Sequence, residues 1–92
     1  PAAQALAAGL VTEVHDPESL TAAVDAVAAT LAAGPTFAYG QTKVLLEQSS
    51  RNSLVEQLSQ EQAAGLLCGR SKDADEALKA SIEKRSPEFT GQ

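Results

Sequence analysis

The sequence predicts a mainly α-helical fold of about four to five helices with one short strand near the start. Three observations carry that expectation. Apolar residues recur at spacings of three and four along most of the chain, capping residues precede these runs, and glycine or proline closes several of them. At 92 residues there is room for one core. It is a thin one. Hydrophobic residues make up 43%, but eighteen are Ala and only twenty-one are Leu, Val, Ile, Phe or Tyr. Alanine withdraws little area from water at roughly 25 cal/mol per Å², while ordering each residue costs about 1–2 kcal/mol. A lone monomer is therefore expected to be marginal.

Ala2 to Ala8 has high helix propensity and Gly9 stands where a C-terminal glycine cap belongs. Leu10-Val11-Thr12-Glu13-Val14-His15 alternates loosely and is β-branched at three of six positions, which predicts a short strand. No second strand is visible to pair with it, so its expected partner lies outside these residues. Asp16-Pro17-Glu18 is a helix start, with Asp16 expected to cap and Pro17 at the first helical position. Leu20, Val24, Val27 and Leu31 then form one stripe on a helix ending near Ala33, stopped by Gly34-Pro35.

Thr36 is expected to cap a third helix running to about Ser50, with Phe37, Val44, Leu45 and Gln48 on one face. Ser53 with Glu56 fits a capping box for a fourth, whose expected inward residues are Leu54, Val55, Leu58, Ala63, Leu66 and Leu67, closing near Cys68-Gly69. Ser71 or Asp73 caps a fifth helix with Ala74, Ala77, Leu78 and Ile82 as its stripe and Lys84 and Arg85 at its negative pole. Residues 86–92 form a non-helical tail in which Phe89, large and apolar, is expected to dock on these helices or on a partner chain.

Seven Lys and Arg against twelve Asp and Glu give a net charge of -5. That balance, with scattered positives and no interleaved aromatics, argues against nucleic acid or an anionic membrane surface as a partner. No apolar run approaches the roughly 20 residues of a membrane span. One cysteine, Cys68, excludes an internal disulfide, and with the single His15 it is too little to ligate zinc; the expected location is cytoplasmic. The chain contains no Met and opens at Pro1, which leads to the expectation of a piece of a longer protein.

No self-sufficient catalytic motif is present. Glu13, His15 and Asp16 come nearest to a proton-transfer constellation, against the plainer reading of a polar strand edge entering a helix cap. Cys68 is expected to be a buried, inert thiol. Asp75 with Lys79 and Glu47 with Arg51 are acid-before-base pairs of weak helix support. Lys84-Arg85 is either a solvated helix end or a place for anion capture, phosphate above all.

Taken in order, several stretches resemble the enoyl-CoA hydratase/isomerase (crotonase) family in its C-terminal part. They are residues 5–14 (ALAAGLVTEV), Ala33-Gly34-Pro35 followed by Thr42-Lys43, Leu54 to Leu58 with Glu61, Cys68 to Ala74, and residues 83–91 (EKRSPEFTG). The resemblance implies a helical C-terminal region of a crotonase-like fold, divided as 1–15 (end of a preceding helix plus short strand), 16–85 (helices) and 86–92 (tail). An N-terminal spiral domain bearing the oxyanion hole and acid/base carboxylates would be absent from these residues. It implies trimer-type self-association, contact with that N-terminal domain, and acyl-CoA as substrate of the parent enzyme, with no catalytic residue, metal ligand or bound cofactor within these 92 residues.

Near its end the family pattern resembles Phe-x-Glu-Lys-Arg, whose lysine reaches coenzyme A phosphates. Lys84 matches that lysine, Ser81 stands in the aromatic's place, and Ala77 stands where glycine is common. The reading is a C-terminal oligomerisation and active-site-covering segment of an enzyme acting on acyl-CoA thioesters through a stabilised enolate, inactive by itself. The rival is a free-standing acidic helical interaction module.

Overall fold

The computed structural model describes residues 1–92 and holds five helices: α1 (Ala2–Ala7), α2 (Pro17–Ala32), α3 (Thr36–Ser49), α4 (Leu54–Gly69) and α5 (Lys72–Glu83). They gather into two compact units, Pro1–Thr30 and Leu31–Gln92.

In the first unit α1 ends as its glycine predicts. Gly9 adopts φ +69°, and the N–H groups of Gly9 and Leu10 donate to the carbonyls of Leu6 (3.0 Å) and Ala5 (2.9 Å), the paired bonds of a Schellman motif. The strand expected at Leu10–His15 does not form. Its residues are exposed coil. β-Branched alternation describes a segment able to join a sheet, and the chain supplies no other strand to receive its ladder. Pro17 opens α2 as expected, but the Asp16 side chain does not cap it; the Asp16 backbone carbonyl accepts from the N–H groups of Ser19 and Leu20, both at 3.0 Å. Leu20, Val24 and Val27 each stay about half exposed.

In the second unit the turn before α3 depends on Gly34, because a Cβ there would collide with the Tyr39 ring. Pro35, not Thr36, is the N-cap of α3, and no side chain caps it. The α4 start is as predicted: Ser53 Oγ accepts from the Glu56 N–H while the Glu56 carboxylate accepts from the Ser53 N–H at 2.8 Å. The Ser53 hydroxyl, which also donates to Glu56 Oε2 at 2.7 Å, and then the Ser53 N–H hold the Glu56 carboxyl below its ordinary range.

Helix α4 packs on both α3 and α5. Its inward face is not the leucine face. The buried residues are Ala64 at 7% exposure on α4 and Ala80 at 2% and Asp73 at 3% on α5, whereas Leu54 and Val55 are 73% and 78% exposed. Leu58, Leu66 and Leu67 also point outward, as do Val44 of α3 and Leu78 and Ile82 of α5. Between α3 and α4 the join is polar. The Asn52 amide donates to Gln57 Oε1 (2.9 Å) and Gln60 Oε1 (3.0 Å), and Gln57 Nε2 reaches the Leu45 carbonyl. Spacing reveals which residues share a helix face but not which face meets a neighbour. Here the alanines allow close helix approach and the bulkier side chains are left outside.

Candidate functional site

The densest polar assembly surrounds α5 and the tail. Ser71 caps α5, accepting from the Ala74 N–H at 3.1 Å and donating to the Cys68 carbonyl at 2.6 Å. That leaves Asp73 free for another task. Its buried carboxylate accepts from the N–H groups of Thr90 (2.7 Å) and Gly91 (2.9 Å), with the Thr90 hydroxyl at 3.4 Å. The Asp73 N–H donates to the Gln92 carbonyl and the Lys72 ammonium to Gln92 Oε1. Gly91 adopts φ +76°, and a Cβ built on it would lie 2.5 Å from Thr36 Oγ1, so only glycine fits this end of the tail, a strap held to α5 by Asp73 and Glu76.

One turn along α5, Glu76 makes a second anchor. Its carboxylate accepts from Arg85 Nη1 (2.6 Å), Arg85 Nη2 (3.0 Å) and the Glu88 N–H (2.9 Å). Arg85 Nε also donates to Glu83 at 2.6 Å. The guanidinium first, and then the Glu88 N–H, hold the Glu76 carboxyl down to about 2 from an ordinary 4.5, and Glu76 with Glu83 pushes Arg85 above its usual value.

Lys84 directly follows α5 and precedes Arg85. It takes the left-handed conformation (φ 54°, ψ 41°), its N–H donating to the Ser81 carbonyl and that of Arg85 to the Ala80 carbonyl. Its side chain is exposed and enters none of the chain's ion pairs, which join His15 to Glu13 and Arg85 to Glu76 and Glu83. The expected Lys84-Arg85 cationic pair is thus divided: the arginine is consumed internally and the lysine faces solvent.

Phe89 docks on its own unit, lining with Pro35, Ala38, Cys68 and Ala77 a cleft of about 230 Å³. Cys68 is partly exposed there rather than buried. In the other unit His15 Nε2 meets Glu13 Oε2 at 2.7 Å, while Asp16 makes no side-chain hydrogen bond to complete a triad. Neither Asp75–Lys79 nor Glu47–Arg51 closes as an ion pair. No group of three His, Cys, Asp or Glu side chains converges as a metal site. The sequence offered Asp73, box-like with Glu76, only as a second possible cap of α5; Ser71 is the cap, and the part both carboxylates take in holding the tail was missed. The available signal was Asp73 two places past a serine that already caps, opposite a tail whose Gly91 permits a turn.

No protein-family model matches the chain. It is 38% identical over 84 residues, 91% of its length, to 1,2-epoxyphenylacetyl-CoA isomerase from Escherichia coli K12. A solved enoyl-CoA hydratase from Geobacillus kaustophilus HTA426 superposes with a TM-score of 0.89 over 97% of the chain at 30% identity. The chain belongs to the C-terminal region of the crotonase superfamily. It spans 32% of the isomerase and 34% of the hydratase chain, about a third of each. The crotonase resemblance read from scattered short stretches is thus supported by sequence and by fold, although the strand expected with it is absent. No single helix of this crotonase segment is long and apolar enough to cross a membrane.

Proposed function

We propose that the chain is the C-terminal helical segment of an enoyl-CoA hydratase or isomerase that acts on acyl-CoA thioesters through a stabilised enolate. In this reading the helices make oligomer contacts and cover the active site, and Lys84 contributes to the hold on coenzyme A phosphates. The relatives' names supply the substrate class: one is an acyl-CoA isomerase, the other an enoyl-CoA hydratase.

The observation that carries the covering role is the outward turn of Leu54, Val55, Leu58, Leu66 and Leu67 along α4. Monomeric surfaces seldom leave so many large apolar residues along one helix, and an opposing protein surface would bury them. Lys84 supports the phosphate role because its ammonium is exposed and has no carboxylate partner. The chemistry of the whole enzyme would be water addition across a 2-enoyl double bond or a proton shift along it. Such an enolate needs preorganised donors, each commonly worth about 2.7–4 kcal/mol, which the family resemblance assigns to an N-terminal domain. The 92 residues by themselves are therefore expected to be silent.

Steady-state kinetics of Lys84→Ala in the full-length protein test the reading. KM for an acyl-CoA should rise about tenfold while KM for the matching acyl-pantetheine, which lacks the nucleotide, is unchanged. An equal loss for both substrates removes the phosphate role. Absence of any acyl-CoA turnover by the full-length protein favours the helical interaction module.

A further inference from the structure

Lys84 occupies a position that ordinarily belongs to glycine. A left-handed residue following a helix is usually Gly because a Cβ is crowded there, yet the chain places a long cationic side chain at φ 54°. Something must hold that turn, and its neighbours do. Glu76 accepts from both terminal nitrogens, Nη1 and Nη2, of Arg85, the residue directly after Lys84, and also from the Glu88 N–H three residues later. Glu83, directly before Lys84, takes Arg85 Nε. The two residues flanking Lys84 are tied to each other and to the helix while Lys84 itself is left unpaired.

We infer that Glu76 is a positioning residue for Lys84: by binding Arg85 and the head of the tail it locks the left-handed turn that presents the lysine ammonium to an anionic ligand. Charge selection follows from the same geometry. With Arg85 neutralised by two carboxylates, Lys84 is the free cation of the turn, able to meet one phosphate from a fixed backbone. Lys84 would otherwise lose part of its binding energy in being ordered, and a preformed turn reduces that cost. The inference rests on the phosphate role proposed for Lys84 and specifies what supports it.

The experiment measures binding of adenosine 3′,5′-bisphosphate, the nucleotide end of coenzyme A, to the full-length protein by calorimetry, together with urea unfolding. Glu76→Gln is expected to weaken binding about two- to tenfold in the parent background and to have no further effect on Lys84→Ala. An equal effect in both backgrounds, or tighter binding from a released Arg85, overturns the positioning role. The turn is tested separately: Lys84→Gly should exceed Lys84→Ala in its folding equilibrium by about fivefold, because only alanine keeps the crowded Cβ, while both bind the bisphosphate equally weakly. Equal stability of the two overturns the locked turn. Undiminished binding by both instead defeats the phosphate role itself, and the positioning role falls with it.

Discussion

Replacing Asp73 by Asn tests whether the tail is held by one buried carboxylate. The substitution preserves size but leaves a single acceptor oxygen, and turns an amide NH2 toward one of the two N–H groups that Asp73 receives at 2.7 and 2.9 Å. Hydrogen bonds to a charged group contribute about 1.5–3 kcal/mol and neutral ones about 0.5–1.5, so losing one bond and weakening the other should cost about 2–3 kcal/mol. Thr90 and Gly91 can recover some water when released, which favours the lower end. A loss of about 2 kcal/mol reduces the docked-to-released ratio roughly thirtyfold. Hydrogen exchange in the full-length protein should show the Thr90 and Gly91 amides losing protection by that factor, while amides of α3 and the middle of α4 are unaffected. Undiminished protection at Thr90 and Gly91 would refute the account of the strap, and uniform loss along α3 to α5 would mean that Asp73 holds the whole unit.

Acid should release the Glu76 anchor late. Its carboxyl is lowered from 4.5 to about 2, so the stabilisation is complete above about 4.5 and is lost as the pH falls toward 2; protection of the Glu88 amide followed by NMR against pH should persist at pH 4 and vanish near 2. Ser53→Ala removes the reciprocal cap of α4 and should destabilise that helix start by about 1 kcal/mol in urea unfolding, with the first-turn amides exchanging fastest.

Where structure is decided within a few residues, the sequence announces it. Gly9 ends α1, Pro17 opens α2, Ser53 with Glu56 opens α4 and Ser71 opens α5, because each acts on backbone groups no more than one turn away. Leu10–His15 misleads because strand formation depends on a distant partner that alternation cannot reveal. The strap was illegible for a related reason: Asp73 meets Gly91 across eighteen positions and Glu76 meets Glu88 across twelve, and nothing periodic connects them. Lys84 was identifiable as a residue of interest, but its separation from Arg85 was not, since only folding brings Glu76 to the arginine.

The outward leucines bear on how this segment is stabilised. Fully burying a Leu or Val side chain is worth about 1.5–3 kcal/mol, and the five along α4 remain more than half exposed, so roughly 5–10 kcal/mol of burial is still unrealised along one helix. That is comparable with the entire stability of a modest domain, about 5–15 kcal/mol. Inside, two buried alanines and an amide network contribute far less apolar burial, but their polar contacts fix geometry: Asn52 bridges two glutamines, and Asp73 and Glu76 secure the tail. The form of the second unit is thus set largely by hydrogen bonds, while a good part of its possible hydrophobic stabilisation, five side chains of α4 among it, is unrealised in the single chain. A segment whose role is to cover another body would have this division, with the interior specifying its form and the exterior supplying its affinity.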